Sequence, residues 1–282
     1  MNGIVPGKWA TVVYMGSDNQ LQHPERTLTW SYGGGTQSIA IAVLVAQGKL
    51  PTPEVVAIVD TGREASETWE YTDQWVRPLL RTVGVEIHVV PHSLATVDLY
   101  GGTDNQTLLI PAFAKDGALT TFCSGKWKAD PMGRFLRSLG YGPSKPVRTW
   151  IGISVDEIGR AKPSRTDWQE LYHPLIWDMR FRRDHCRELI EQAGLPTPPK
   201  SSCWMCPYRR NSQWRRLRDH YPADFEKACL LDEAIRANDS RGGLWVHESR
   251  TPLREADLED HDPPLSSLFG EVAGCDSGMC WV

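Results

Sequence analysis

The sequence has no apolar segment long enough to cross a membrane. Its longest uninterrupted apolar run, Ile39 to Ala46, has eight residues, whereas a transmembrane helix needs about 20. The opening residues, MNGIVPGKWA, also lack the charged and then apolar layout of a secretory signal. We therefore expect a cytoplasmic protein that does not associate with membranes.

The chain also lacks an excess of basic charge. It has 31 Lys and Arg against 35 Asp and Glu, a formal net charge of −4. This balance argues against a uniformly basic coat for nucleic acid but leaves a local basic patch open. With 282 residues, 40% hydrophobic and 23% charged, the chain can fold around a sizeable core.

A complete set of disulfides is not expected either. The seven cysteines are an odd number, and no export signal points to an oxidising compartment. Metal binding or redox chemistry therefore becomes the more informative interpretation of the cysteines.

The chain divides into three parts by pattern. Residues 1–26 form an irregular arm, and residues 196–282 form a small C-terminal helical unit that contains cysteines, with the proline-rich segment 195–202 as the boundary. Between them, residues 27–195 alternate strand-like and helix-like segments. The strands are expected at 27–32, 54–60, 85–90 and 147–154, and the helices at 37–47, 66–84 with a break near Pro78, and 132–139. This alternation predicts an α/β fold with a doubly wound, mostly parallel sheet and helices on both faces.

A glycine-rich loop joins the first strand to the first helix. It reads SYGGGTQS, Ser31 to Ser38. Three glycines allow the backbone to approach an anion closely, and the hydroxyls of Thr36 and Ser38 add donors. The loop matches neither GxxxxGK[ST] nor GxGxxG, so on this segment alone a plain glycine turn remains the alternative.

Four segments, in order, resemble those of the phosphoadenylylsulfate reductase-like branch of the adenine nucleotide alpha-hydrolase superfamily. They are SYGGGTQS (31–38), VDTGREASETWEYTDQW (59–75), TFCSGKWKADPMGRFL (121–136) and IGISVDEIGRAK (151–162). The loop departs from the family's usual pattern by carrying Gln37 where Asp is common.

The resemblance implies that ATP or a related adenine nucleotide binds with Mg²⁺ and is cleaved at its α-phosphorus. It places phosphate on Gly33, Gly34, Gly35, Thr36, Gln37 and Ser38, and adenosine near Asp60, Thr61 and Gly62. It assigns catalytic roles to Ser31, Ser38, Asp60, Asp156, Glu157 and Arg160. Carboxylates suit Mg²⁺, and an arginine can neutralise a leaving group. An ordinary turn at Asp60 and a solvated ion pair at 156–160 are the alternatives.

Two cysteines have the spacing of metal ligands. Cys203 and Cys206 lie three apart in SSCWMCPYRR, although a redox dithiol or a buried pair is an alternative. Cys186 and Cys229 lie in helix patterns among apolar neighbours and are interpreted as core residues.

The cysteine arrangement resembles that of the iron-sulfur sulfurtransferase of bacterial DNA phosphorothioation. That resemblance implies a 4Fe-4S cluster on Cys123, Cys203 and Cys206, with Cys280 or Cys275 as the fourth ligand. Four thiolates can equally bind a structural Zn²⁺.

Nine arginines are concentrated in two short runs, residues 180–187 and 208–218, beside Tyr208 and Trp214. Such a patch suits phosphates and bases of a nucleic acid, and ion-paired helix surfaces are the alternative. The sequence does not indicate an oligomeric state.

Taken with the resemblance, these features favour an ATP-dependent, sulfurtransferase-like enzyme with a nucleic acid as acceptor. Two alternatives stay open. One is a sulfonucleotide reductase. The other is a non-catalytic nucleotide- or nucleic-acid-binding component with structural zinc, and it stays open because the loop carries Gln37.

Overall fold

A computed structural model describes residues 26–101, 106–238 and 243–259. Its strands are β1 (Thr27–Ser31), β2 (Val55–Val59), β3 (Ile87–Val90), β4 (Tyr100–Gly101), β5 (Thr107–Leu108), β6 (Phe113–Ala114), β7 (Gly117–Ala118), β8 (Val147–Ile151), β9 (Gln169–Tyr172) and β10 (Leu244–Trp245). Its α-helices are α1 (Thr36–Ala46), α2 (Ser66–Tyr71), α3 (Arg77–Arg81), α4 (Asp130–Ser138), α5 (Pro174–Trp177), α6 (Arg183–Gln192), α7 (Asn211–His220) and α8 (Pro222–Asn238).

The five longer strands form one sheet in the order β3-β2-β1-β8-β9, and every neighbouring pair is parallel. β1 lies at the centre, pairing Thr29 with Val55 on one side and with Thr149 on the other. The direction of winding reverses between β1 and β8, and in such sheets ligands bind beyond the carboxyl ends of the strands at this point.

Helices cover both faces of the sheet, as predicted. Alternate residues of β2 point to opposite faces: Val56 and Ile58 pack in the core that contains α1 and α6, whereas Val55, Ala57 and Val59 pack in the core that contains α4. The α/β prediction with a doubly wound parallel sheet is therefore confirmed.

A third apolar core lies beside the sheet. The buried segment Leu108–Ile110 and Trp127 pack there with residues of α7 and α8, including Trp214 and Cys229. Residues on both sides of position 195 thus share one core. Cys186, in the core that contains α1 and α6 (the main core), and Cys229 are fully buried, which confirms their interpretation as core cysteines.

The predicted helix over 66–84 is a compound element. α2 continues through a wider π-type turn, Thr72–Val76, into α3, where Pro78 occupies the first turn, a position at which its missing N–H costs little. A second such turn, Gly125–Ala129, leads into α4. The sequence patterns missed β9, whose QELY residues are all partly exposed and do not form an apolar run.

Some predictions fall outside the described residues: the arm up to residue 25 and the candidate ligands Cys275 and Cys280. In the described part of the chain, no helix is both long and apolar enough to cross a membrane.

Candidate functional site

The glycine loop lies at the carboxyl end of β1 and runs into the first turn of α1. Gly34 adopts a positive φ of 70°, which favours glycine, and Gly35 is the extended residue that precedes the helix. The first amides of a helix have no carbonyl partner within it, and α1 carries no acidic residue in that turn. This end of α1 therefore has the polarity of an anion site.

The loop is held in shape by close contacts on two sides. A Cβ on Gly34 would lie 2.6 Å from Cγ2 of Thr68 in α2, and a Cβ on Gly152, after β8, would lie 2.9 Å from Oγ of Ser38. The Ser38 hydroxyl also accepts the backbone N–H of Gly33 at 3.1 Å. Ser38 thus closes the turn.

Gln37, the residue that departs from the family pattern, contacts the predicted acidic segment. Its side-chain amide donates to Oε2 of Glu157 at 2.6 Å and to Oγ of Ser154 at 3.4 Å. Arg160 binds the same Glu157 oxygen at 2.9 Å, and Arg183 approaches Oε1 at 3.5 Å. Burial raises the pKa of Glu157, and the two arginines oppose that rise. The structure therefore brings Gln37, Glu157 and Arg160 together.

Asp156 points elsewhere. Its Oδ1 accepts the backbone N–H of Arg183 at 3.1 Å, at the first residue of α6. A carboxylate at this position is favoured by the unpaired amides and the positive end of the helix dipole. Asp156 and Glu157, adjacent in sequence, thus have separate partners.

The Asp-Thr-Gly turn follows β2. Oδ1 of Asp60 accepts the backbone N–H of Gly62 at 2.7 Å, and Gly62 has a φ of 68°. The Thr61 side chain is fully buried, and its Oγ1 lies 3.9 Å from the sulfur of Cys203. The turn after β2 therefore contacts the cysteine loop.

The proline-rich segment brings the cysteine loop directly against the glycine loop. Ser201 donates its hydroxyl to the carbonyl oxygen of Gly33. The next residues pair with the segment after β2: the Ala65 N–H donates to the Ser202 oxygen at 3.3 Å, and the Trp204 N–H donates to the Arg63 oxygen at 2.8 Å. Cys203 is fixed between these bonds.

The three described candidate ligands come together. Burial raises the pKa of Cys123 to about 11, with Cys206 raising it further and Lys128 opposing. Burial and then Glu64 raise the pKa of Cys203, Lys128 opposes that rise, and Cys206 and Cys123 contribute to it. Cys123 and Cys203 thus both interact electrostatically with Cys206 and with Lys128, whose Nζ lies 2.7 Å from Oε1 of Glu64.

Thiol ligands suit either an iron-sulfur cluster or zinc. Within the ranges 26–101, 106–238 and 243–259, however, no three His, Cys, Asp or Glu side chains have the arrangement of a metal site. The donor chemistry of Cys123, Cys203 and Cys206 therefore fits such a group, and its geometry is not preformed among these residues.

Arg209 supports the cysteine loop by binding its backbone. Its guanidinium donates to the carbonyl oxygens of Cys203 at 3.1 Å and Ser202 at 3.2 Å, and lies 3.8 Å from Oε1 of Glu67. The Arg209 side chain is 1% exposed. One arginine of the predicted patch is thus a buried structural residue.

Several of the remaining arginines of the two runs form ion pairs. Arg216 binds Glu67 at 2.9 Å, and Arg183 approaches Glu157 as described. Arg187 pairs with Asp184 and Arg218 with Asp219, and Arg215 lies 3.6 Å from Glu259. The exposed members of the two runs are Arg180, Arg182, Arg187, Arg210, Arg216 and Arg218. The ion-paired alternative therefore accounts for part of the set, and the exposed members carry the hypothesis of a nucleic-acid surface.

Comparison with known proteins gives a limited result. No family model matches the chain, and no curated protein matches it. Sixteen chains of solved structures match. Among them is the U34-tRNA thiolase NcsA from Methanococcus maripaludis with its 4Fe-4S cluster, which is 13% identical over 77% of this chain and 67% of that one, with a TM-score of 0.38. At this TM-score the similarity does not bear on the chemistry of the present site.

Sequence reasoning missed Glu64, Lys128 and Ser201, which shape the site, and it assigned Arg209 to a nucleic-acid surface rather than to the support of the cysteine loop. Lys128 and Ser201 lie within five and two residues of a singled-out cysteine, which was the available signal. Burial identifies Glu64 and shows the structural role of Arg209, because charged side chains are almost never buried unless they are paired.

Proposed function

We propose that the protein is an adenine-nucleotide-dependent enzyme of the sulfurtransferase type, with a nucleic acid as acceptor. The observation that carries the proposal is the contact between the two loops. Ser201 binds the glycine loop at Gly33, and Cys203 follows two residues later beside Thr61. A phosphate bound at the start of α1 would therefore lie in the same site as the three thiols.

The side chains present can perform the binding steps. Amides of the glycine loop and the first turn of α1 would hold the polyphosphate and stabilise charge on departing pyrophosphate. Arg160, anchored by Glu157, would supply positive charge beside the loop. An oxygen of the acceptor would attack the α-phosphorus and release pyrophosphate, which leaves the acceptor adenylylated. A sulfide nucleophile would then form the bond to the acceptor carbon as the bond from that carbon to oxygen breaks and AMP leaves.

Cys123, Cys203 and Cys206 would hold the iron-sulfur cluster, or alternatively zinc. When bound, a cluster would supply a place to carry the sulfur atom. Mg²⁺ bound with the nucleotide would be held chiefly by the phosphates. The exposed arginines Arg210 and Arg218 would contact acceptor phosphates.

Anaerobic purification with iron, sulfide and zinc quantified tests the cofactor, and pyrophosphate release from ATP tests the chemistry. We expect about four iron and four sulfide per chain, lost in Cys203→Ser and kept in Cys186→Ser, whose side chain is buried in the main core. Zinc without iron would indicate a structural metal site and not cluster chemistry. Nucleotide binding without pyrophosphate release would favour a non-catalytic component.

A further inference from the structure

Trp177 is exposed in a protein that otherwise shields its tryptophans. It is 51% exposed, whereas the other tryptophans within residues 26–101, 106–238 and 243–259 are buried or half-buried. Ile158, on the segment after β8, is exposed to the same degree. An indole ring in water leaves a large, flat apolar surface without a partner. The exposed ring therefore suits a planar group.

The ring projects from a rigid turn of the backbone. α5 is a single turn, and Leu175 and Ile176 are buried beneath it. The Trp177 N–H donates to the His173 oxygen at 3.0 Å, and the Phe181 N–H donates to the Leu175 oxygen at 2.7 Å. The backbone is thus fixed on both sides of Trp177, so a ligand that binds the ring does not have to order this segment.

Arg180, within the same turn, has a backbone conformation that is unfavourable for arginine. Its φ is 52°, and in the described part of the chain Arg250 is the only other non-glycine residue with a positive φ. Glycine would adopt this conformation at lower cost. Because strained positions of this kind are concentrated at functional sites, we expect the Arg180 side chain to serve a purpose that glycine could not.

Positive charge flanks Trp177 and is not neutralised by the protein. Arg180 and Arg182 are exposed, and neither forms an ion pair with a described residue. Carboxylates of the same segment already have partners, in the pairs Asp178–Tyr172 and Asp184–Arg187. A ligand that covers Trp177 should therefore carry negative charge.

The segment that carries these residues is bonded to the glycine-loop side of the candidate site. The Val155 N–H donates to the Phe181 oxygen at 2.8 Å. Arg183 approaches Glu157 at 3.5 Å, and Glu157 accepts the side-chain amide of Gln37 at 2.6 Å. A chain bound at Trp177 would therefore have its neighbouring residues beside the glycine loop.

We propose that Trp177 stacks on an unpaired base of a nucleic acid, and that Arg180 and Arg182 bind the phosphates next to that base. A nucleotide chain combines a flat face with negative charge, which matches an indole between exposed arginines. In a duplex the base faces are stacked on one another, so the site selects a single-stranded or looped segment. The inference rests on the proposed function and deepens it, because it specifies the kind of acceptor.

Five variants separate the ring from the charge. Trp177→Ala removes the ring, and Trp177→Phe keeps an aromatic face. Arg180→Gly removes one charge and suits the positive φ, so it is expected to fold. Leu230→Ala and Lys49→Ala are the matched controls, because Leu230 is 54% exposed on α8 and Lys49 is exposed beyond the far end of α1. Thermal unfolding confirms that each variant folds.

Fluorescence anisotropy gives the test, with a labelled oligonucleotide of mixed sequence as single-stranded DNA, as single-stranded RNA and in a duplex. We expect a single strand to bind more tightly than the duplex, and the DNA and RNA strands distinguish the two sources of an unpaired base. Trp177→Ala should weaken single-strand binding about tenfold, the scale of one lost base stack, and Trp177→Phe should restore most of it. Both controls should bind as the wild type does.

The salt dependence of the same binding tests the arginine. Arg180→Gly should reduce the slope of log Kd against log salt by about 0.7, the value for one phosphate contact on a single strand. Trp177→Ala should leave this slope unchanged, because stacking releases no counterions.

Equal single-strand affinity of Trp177→Ala and the wild type would overturn the proposal. So would equal binding of duplex and single strand, or an unchanged salt slope in Arg180→Gly. A dimer that sedimentation detects in the wild type and not in Trp177→Ala would make the ring a contact between two copies of the chain, and would also overturn it.

The failure of this inference is distinguishable from that of the proposed function. If the wild type binds the oligonucleotides and Trp177→Ala binds them equally well, this inference fails alone. If the wild type binds none of them, the nucleic-acid acceptor fails with it. The metal content and pyrophosphate release are measured without an oligonucleotide, so they test the remaining parts of the proposed function independently.

Discussion

Replacement of Arg209 by methionine should destabilise the protein far more than other arginine substitutions in the same run. The Arg209 guanidinium donates to the carbonyl oxygens of Cys203 and Ser202 and lies near Glu67. A hydrogen bond from a charged donor contributes about 1.5 to 3 kcal/mol, so two such bonds amount to about 3 to 6 kcal/mol. Release of the buried charge offsets part of this, and Glu67 keeps its partner Arg216. We expect a net loss of about 3 kcal/mol.

Urea unfolding measures this loss, and alkylation of Cys203 measures the freedom of the cysteine loop. Arg218→Met is the matched control, because Arg218 is exposed and its carboxylate partner is the adjacent Asp219. Arg209→Met should lower the midpoint of unfolding and speed alkylation, while Arg218→Met changes neither. If the two variants are equally stable, the buried guanidinium does not support the loop and the reasoning is refuted.

Two further substitutions test the loop geometry and the effect of burial on a carboxyl group. Gly34→Ala should lower the thermal unfolding temperature more than Gly48→Ala, because both glycines have positive φ but only Gly34 would bring a Cβ against Thr68. Equal decreases would mean that the loss comes from backbone strain and not from the contact with Thr68. Burial raises the pKa of Asp178 above its ordinary value of 3.8, so the folded state favours the protonated carboxyl. The free energy of unfolding of the wild type should therefore fall as pH rises from about 3.8 through the raised pKa. In Asp178→Asn, whose amide oxygen can still accept the Tyr172 hydroxyl, that part of the pH dependence of urea unfolding should disappear, and an unchanged profile would contradict the assigned cause.

The main sheet was largely predictable because its signals are local. β2 is five buried apolar residues, and α1 is a long apolar segment after glycines, so alternation alone indicated parallel strands. β9 lacked such a signal, since its four partly exposed residues become a strand by pairing with β8. The short strands β4 to β7 likewise depend on tertiary pairing and contain only two residues each.

The candidate site was predictable in its parts but not in their arrangement. Motifs pointed separately to the glycine loop, the Asp60 turn and the cysteines. Their junction depends on a residue that no motif contains, Ser201, and on backbone bonds between 63–65 and 202–204. Sequence separations of more than a hundred residues carry no spacing signal, so this contact had to come from the fold.

The position of Gln37 changes how the loop's departure from its family pattern should be interpreted. An aspartate there would place a second carboxylate within reach of Glu157, which already lies buried and has a raised pKa. Two neighbouring buried carboxylates repel each other, and Arg160 and Arg183 would then have to offset both charges. The neutral amide of Gln37 instead donates to Glu157 at 2.6 Å. A carboxylate therefore still lies beside the start of α1. It belongs to Glu157, in the segment after β8, and Arg160 holds it there.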